Sequence, residues 1–339
     1  MIKVSIVIIC WNDHKVIFDC LKSIFEQQCR FECEVIVSDN GSTDGAPERI
    51  RKEYPQVRIV ANGNNLGFAK GNNAGIKVAS GEYVLILNPD TIVHENTLQR
   101  WLKYADSHPE AGAFGCRVLN PDGSYQTPAR PLPTLRGAVI AALGLRWLGR
   151  LSAKYHADTY PGFEGDTERP IGMQSGCCIL VRGPLLTKLG GFDERFFYHF
   201  EETDLCKRTW ESGCPILYFP DAVITHLGGQ SVGRFPIRFA LETNRGRYRY
   251  FYKHFGMEAA ERLRWAWLMH VAVRWIGYSM VRLSGKSDGL SNRLAMYRTV
   301  LRWNWHLNVR RFIELGDEPD VGHEPLAPAP VMVLREESR

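Results

Sequence analysis

Three carboxylates crowd into four positions at Glu201, Glu202 and Asp204, directly after the aromatic residues Phe196, Phe197, Tyr198 and Phe200. Like charges this close repel one another, and apolar rings beside them reduce hydration. Both effects raise a carboxyl pKa toward the range a general base needs. The bland alternative is a charged first helical turn, favoured by the helix dipole. A fourth carboxylate, Asp90, closes Asn88-Pro89-Asp90 at the end of the apolar run Tyr83 to Leu87. Presented there by a proline turn, it suits a hard divalent cation that also takes diphosphate oxygens. The competing reading is a cap for the segment that opens at Thr91. His226 ends another apolar run, and a lone histidine is more often a hydrogen-bonded core residue than a ligand. A shared cleft with Asp90 would change that balance.

Two further clusters surround these acids. Asp39-Asn40-Gly41-Ser42-Thr43-Asp44-Gly45 consists of turn residues behind an apolar run, so Asp39 either accepts hydrogen bonds from a ribose or base edge or shapes the loop as an Asx-turn. Asn62 to Asn73 is dense in Asn and Gly and carries Gly67 and Lys70. Its backbone amides at a helix start are positioned to meet phosphate or sugar oxygens. The glycine spacing matches neither a P-loop nor the dinucleotide fingerprint.

The elements that must hold these residues follow from periodicity. Val4 to Cys10, Glu34 to Ser38, Val57 to Ala61 and Tyr83 to Leu87 read as buried strands. Between them fall helical patterns over Val16 to Phe25, Glu48 to Glu53 and Gly67 to Ala79. This alternation predicts a parallel α/β sheet with right-handed crossovers, whose ligands sit at the carboxyl ends of the strands. Asn12, Asp39 and Asp90 all fall there. A helix over Glu95 to Ser107 and a strand over Gly112 to Leu119 continue the domain. Pro121 to Pro170, rich in Pro, Gly and Arg, reads as an excursion with one apolar helix from Leu135 to Leu151. Met173 to Val181 and a helix near Pro184 to Leu189 return to the core. A helix opening at Glu201 follows, then short strands over Ile216 to Phe219 and Val223 to Thr225.

The composition fits a packed globular chain: of 339 residues, 45% are hydrophobic and 23% charged. A net charge of +5 is too small to argue for nucleic acid as a partner. Nine cysteines without a CxxC pair argue for reduced thiols in a cytosol and against a disulfide framework. The N-terminus opens into a strand-like run without a small-residue cleavage site, so no signal peptide is expected.

Past residue 240 the character changes. Ten Lys or Arg and a single acid, Asp288, lie between Arg262 and Arg311, together with Trp265, Trp267, Trp275, Trp303 and Trp305. On a helix over Leu263 to Leu283, Arg264, His270, Arg274, Tyr278 and Arg282 form one stripe. Trp265, Met269, Ala272, Val273, Ile276, Met280 and Leu283 form the opposite one. Such a helix fits a membrane interface with anionic headgroups, whereas Arg274 near its middle argues against spanning. In the competing reading the Trp and Leu side chains pack inward and the arginines reach outward. From Gly316 the acidic, Pro-rich end reads as disordered.

Taken in order, Val4-Ser5-Ile6-Val7-Ile8, Ser38 to Gly45, Asn65-Leu66-Gly67-Phe68-Ala69, Asn88-Pro89-Asp90, Gly190-Gly191-Phe192-Asp193-Glu194 and Glu201 to Leu205 resemble the family-two glycosyltransferases, and most of all their rhamnosyltransferase branch. The resemblance covers residues 3 to 235. It implies a GT-A fold, an α/β class with a mostly parallel central sheet flanked by helices, here with a helical C-terminal extension. The implied division is a catalytic domain over 1–240 (a nucleotide-sugar half over 1–120, an acceptor half over 121–240), a membrane-associating extension over 241–315 and a tail over 316–339. The implied reaction is inverting transfer from a nucleotide sugar, with dTDP-rhamnose favoured over UDP- or GDP-sugars. The implied acceptor is a polyprenyl-diphosphate-linked glycan of bacterial surface polysaccharide at the cytoplasmic leaflet. Asn12, Asp39, Asn40, Gly67, Lys70, Asn88 and Asp90 would then face the donor. Asp90 and His226 would hold Mg2+ or Mn2+, and Glu202, with Glu201 beside it, would be the base. Two positions depart from the family pattern: Asn88 stands for the first acid of the metal motif, and Glu202 for the usual Asp of the catalytic pair. A nucleotidyltransferase on a similar sheet is the nearest competitor, but Cys10-Trp11-Asn12-Asp13 is no triphosphate loop. A binding module that has lost activity is the other alternative.

Overall fold

Every residue of Val4–Cys10 (β1) is buried, as a strand covered on both faces must be. In the computed structural model, which describes residues 2–145, 149, 159–228, 235–283 and 290–322, β1 runs parallel to Cys33–Asp39 (β2), which in turn pairs with Arg58–Ala61 (β3). On its other side lies Tyr83–Leu87 (β4), also parallel. The crossovers are the helices Ile17–Phe25 (α1), Ala46–Glu53 (α2) and Gly67–Ile76 (α3). In α1 the apolar spacing is used directly: Ile17, Cys20, Leu21 and Ile24 are its buried face.

The remaining strands are Thr91–Val93 (β5), Ala113–Leu119 (β6), Ala129–Arg130 (β7), Arg169–Pro170 (β8), Met173–Gln174 (β9), Cys178–Arg182 (β10) and Ile216–His226 (β11). Thr97–Ser107 (α4) lies between β5 and β6 in the chain. The main sheet has the order β3-β2-β1-β4-β10-β6-β11-β5, with β8 on β11; β7 and β9 form a separate pair. Six of its nine strands point one way, so the sheet is mostly parallel. β10, β5 and β8 run against them. A buried apolar run reads alike in either direction, so the reversal of β10 is invisible to periodicity. β11 is one strand with an irregularity between Phe219 and Val223 instead of two short ones; Pro220, which has no N–H to give the ladder, falls there. One consequence matters for chemistry. Cys10, Asp39, Leu87, Leu119 and His226 end on the same edge of the sheet, and the residues before antiparallel β10 begin there.

The chain resolves into two compact units, one of Met1–Leu132, Thr159–Phe197 and Glu201–Gln230, the other of Pro133–Asp158, Tyr198–Phe200 and Ser231–Arg339. The division is therefore no single cut near residue 240. In the first unit, Gly183–Lys188 (α6) and Glu201–Glu211 (α7) complete the helices. The second holds Leu135–Ala142 (α5), Pro236–Phe255 (α8), Met257–Leu283 (α9), Leu290–His306 (α10) and Val309–Leu315 (α11). The expected helix from Leu135 is observed to Ala142, and most of its remainder lies outside the described residues. Tyr248, Val271, Trp303 and Phe312 are among the buried core of this unit. Arg245 bridges Glu242 and Glu318 at 2.6 and 2.7 Å. Glu318 thus corrects the expectation of a disordered segment from Gly316; residues 323–339 lie outside the described set. None of the helices among the described residues is long and apolar enough to cross a membrane.

Candidate active site

Asp90 and His226 meet because β5 and β11 are antiparallel neighbours with Thr91 opposite His226. Asp90 Oδ1 lies 3.3 Å from His226 Nε2, and the Asn88 amide nitrogen lies 3.5 Å from the same ring atom. The far side of the imidazole is fixed by a residue that sequence reasoning missed. Gln126 donates its amide to the carbonyl of His226 and to Asn120 Oδ1, which leaves Gln126 Oε1 as the acceptor 2.7 Å from His226 Nδ1. Nδ1 then carries the proton, and Nε2 turns its lone pair toward the Asp90 carboxylate. Two lone-pair-bearing atoms at that separation repel unless a proton or a cation lies with them. A carboxylate and an imidazole nitrogen with a fixed outer partner form a donor set that fits a divalent cation. Among the described residues no three His, Cys, Asp or Glu side chains cluster as a metal cage, so any such ion would draw its other ligands from substrate and water.

The acidic cluster opens α7. The backbone enters it through His199 and Phe200, both left-handed at φ 64° and 74°, a conformation that costs non-glycine residues of order 1 kcal/mol or more each. Glu201 is 4% exposed, and its Oε2 accepts no hydrogen bond among the described residues. Burial, reinforced by the charges of Glu202 and Asp204, holds its carboxyl well above the usual carboxylate range. Asp204 is matched differently: Arg208 Nε donates to it at 2.7 Å. Glu202 is only half-buried and lies against Gly176, where an added Cβ would come within 3.3 Å of its Cβ. The next residue ties both sides of the site together. The carbonyl of Cys177 accepts the Asn88 N–H at 2.9 Å, and its buried thiol is pushed up first by burial and then, among smaller causes, by the charges of Asp90 and Glu202.

The loops at β1 and β2 behave otherwise. Asp39 Oδ1 accepts the Ser42 N–H at 3.0 Å, an Asx-turn. Asn40 is 2% exposed; its amide donates to the Gly67 carbonyl at 3.1 Å while its Oδ1 accepts from Asn62 at 2.9 Å. Asn12, itself at φ 57°, accepts the Thr43 N–H at 2.7 Å. The structure thus makes Asn40 and Asn12 holders of these loops. The helix start at Gly67 also differs from expectation. The Gly67 N–H donates to Asn65 Oδ1 and the Phe68 N–H to the Phe197 carbonyl at 2.7 Å, so these amides are engaged within the protein. A Cβ at Gly67, whose φ is +82°, would come within 2.6 Å of Phe197, which explains glycine there. Lys70 stands exposed on α3.

Comparison with known proteins adds a family. The model described as glycosyl transferase family 2 matches residues 5–182, ending before α7 and His226. This chain is 34% identical over 264 residues to the N-acetylglucosaminyl-diphospho-decaprenol L-rhamnosyltransferase of Mycobacterium tuberculosis (strain H37Rv), over 74% of this chain and 84% of that relative. It is 26% identical over 196 residues to rhamnosyltransferase WbbL of Escherichia coli K12, over 55% of this chain and 70% of that protein. Among solved structures, the mannosyltransferase PcManGT of Pyrobaculum calidifontis, in complex with GDP-Man and Mn2+, superposes with a TM-score of 0.53 at 19% identity, over 89% of this chain and 84% of that one. That likeness is one of fold.

Proposed function

Because this chain belongs to glycosyl transferase family 2, we propose that it moves L-rhamnose from dTDP-rhamnose to a hydroxyl of a lipid-diphosphate-linked glycan, with inversion at the anomeric carbon. The sugar and the acceptor class are carried over from the two rhamnosyltransferases it is similar to. The reading is supported above all by one arrangement: Asn88, two residues before Asp90, donates its N–H to the Cys177 carbonyl at 2.9 Å, and the adjoining Gly176 lies against Glu202. The natural setting is surface polysaccharide assembly at the cytoplasmic face of a membrane, with the protein attached peripherally.

Asp39 faces the nucleoside, and Asn88 lines the diphosphate side. Asp90 and His226 would hold Mg2+ or Mn2+, which supplies charge neutralisation on the departing diphosphate when bound. Gln126 keeps the His226 ring in the tautomer that turns the Nε2 lone pair toward Asp90 and the Asn88 amide. Glu202 accepts the proton of the acceptor hydroxyl while that oxygen attacks the anomeric carbon. The new glycosidic C–O bond forms as the bond to the diphosphate oxygen breaks. Burial holds the Glu201 carboxyl well above the usual carboxylate range, which favours Glu202 as the member of the pair that takes the proton. A single protein acid–base group suffices because a nucleoside diphosphate needs no protonation to leave, unlike the leaving group of a glycosidase.

The test is to offer dTDP-, UDP- and GDP-hexoses, each with and without a prenyl-diphosphate-linked N-acetylglucosamine, and to measure released nucleoside diphosphate. Release from dTDP-rhamnose only when the acceptor is present is the expected result. Release that ignores the acceptor, or that follows another donor, overturns the assignment.

A further inference from the structure

In the second unit α9 presents its apolar stripe outward. Trp265 and Met269 are 59% and 53% exposed, Val273 and Met280 about two-thirds, and Leu283 87%. The first part of the polar stripe turns the other way: Arg264 donates to the Asn304 and Trp305 carbonyls at 3.1 Å, and His270 Nδ1 lies 2.7 Å from the Ala142 carbonyl, while Arg274 and Arg282 are exposed. The inward-packing reading fails for Trp265 but holds for Trp267, which packs against the core of this unit together with buried Leu263 and Leu268. Beside the stripe runs a trough walled by α9 and α10. One part, of about 850 Å3, is lined by Trp265, Met269 and Ala272 on one side and by Leu301 and Trp305 on the other. A second part, of about 370 Å3, continues toward Leu283 and Ser291. Trp275 and Arg298 line both. Over the span from residue 265 to 283 the trough follows α9 for roughly 27 Å at 1.5 Å per residue.

Its charge is one-sided. Arg298, Arg302 and His306 recur every four residues along α10 and line the larger part, while Arg282 lines the smaller. Across 262–283 and 290–306 there are seven arginines and no Asp or Glu. Among the described residues neither Arg298 nor Arg302 is held by a carboxylate. An apolar channel this long, bordered by unneutralised guanidinium groups, is complementary to an amphiphile with a long hydrocarbon chain and a phosphate head. We propose that the α9–α10 trough binds one prenyl-chain diphosphate lipid, its chain along Trp265, Met269, Ala272 and Trp275 and its phosphates on Arg298 and Arg302. The choice of a prenyl diphosphate rests on the lipid-linked acceptor proposed above; the trough and its charge do not.

Because three tryptophans line the trough, intrinsic fluorescence of the full chain reports occupancy. Farnesyl diphosphate should give a saturable change that farnesol and inorganic diphosphate do not reproduce. The exposed pair Arg298→Glu and Arg302→Glu should weaken binding about tenfold or more. Ala272→Phe, which narrows the channel and leaves its charge, should weaken it as well. Unchanged thermal melting shows that both variants fold. Four results overturn the site: farnesyl diphosphate without effect on the wild type; binding indifferent to the arginine pair; displacement by dTDP, which assigns the ligand to the donor site; or a loss of oligomeric mass in Ala272→Phe with no lipid response, which assigns the trough to a second copy of the chain. The acceptor reading is tested apart from this. Saturable farnesyl diphosphate binding without transfer to a lipid-linked glycan keeps the trough and removes the acceptor. Acceptor-dependent transfer with no lipid response does the reverse.

Discussion

The two sides of the strand-end edge are built from the same residue types and differ in how completely those residues are bonded. At β1 and β2, Asn12 and Asn40 are engaged with Thr43, Asn62 and Gly67. Across the edge, Asn88 Oδ1 and Glu201 Oε2 are buried and accept nothing among the described residues, and Asp90 Oδ1 lies 3.3 Å from His226 Nε2. A buried polar atom left without a partner costs about 1–3 kcal/mol. Such atoms also occur away from this edge, at Asn72 Oδ1 and Trp101 Nε1, so it is their place beside Asp90 and Glu202 that gives these two their meaning. The contrast separates scaffold from chemistry among residues that composition cannot tell apart.

The sharpest way to break that contrast is to remove the base. Glu202→Gln keeps size and polarity and loses the proton acceptor, so transfer should fall by roughly 10²–10⁴-fold while donor binding, followed by calorimetry, is kept. Full turnover in this variant would place the chemistry elsewhere. On the diphosphate side, Asp90→Ala should abolish any gain in nucleoside diphosphate affinity on adding Mn2+ or Mg2+. Binding that responds to the cation as before would remove Asp90 from the cation's ligands. One step out, Gln126→Ala frees the imidazole to change tautomer, and the expected loss of activity is about 10–100-fold. The conservative Gln126→Glu, which still accepts from Nδ1–H, should recover part of it; equal loss in both would reduce Gln126 to a packing residue.

These residues differ in how legible they are from sequence. Asp90 and His226 each follow an apolar run, which assigns both to the strand-end edge, but the 3.3 Å contact itself comes from the short antiparallel strand β5 pairing with β11, which periodicity does not reveal. Gln126 stands 100 positions from its histidine, in a stretch rich in turn formers, and amide anchors have no periodicity to betray them. Asn40 was legible as important and not in its task, because an asparagine at a strand end looks the same whether it bonds a loop or a ligand. The direction of β10 is hidden for a similar reason, since burial on both faces erases alternation. In α9 the amphipathic pattern was readable, but which stripe faces water depends on partners from distant segments, here Ala142 and Asn304.

On the scaffold side the expected effect is on stability. Asn40→Ala leaves the Gly67 carbonyl and the Asn62 amide without their partner and should cost about 1–3 kcal/mol in denaturant unfolding, with little change in turnover per folded molecule. A change in donor affinity without loss of stability would return Asn40 to the binding residues.

Glu201 gives the smallest expected effect and the most pointed test of the pair. Burial and its acidic neighbours make its folded carboxyl bind a proton more tightly than the ordinary value of 4.5 implies. Above that pH the unfolded chain releases the proton while the folded chain keeps it. The folded state then holds more protons, and stability falls as pH rises. Glu201→Gln removes this liability, so the variant should gain on the wild type in thermal melts from about pH 5 upward and match it below the unfolded pKa. Because Gln reproduces a neutral carboxyl in size and polarity, transfer should survive within a few-fold. If Glu201→Gln instead silences transfer as Glu202→Gln is expected to, and gains no stability with pH, the neutral partner and the base are the other way round.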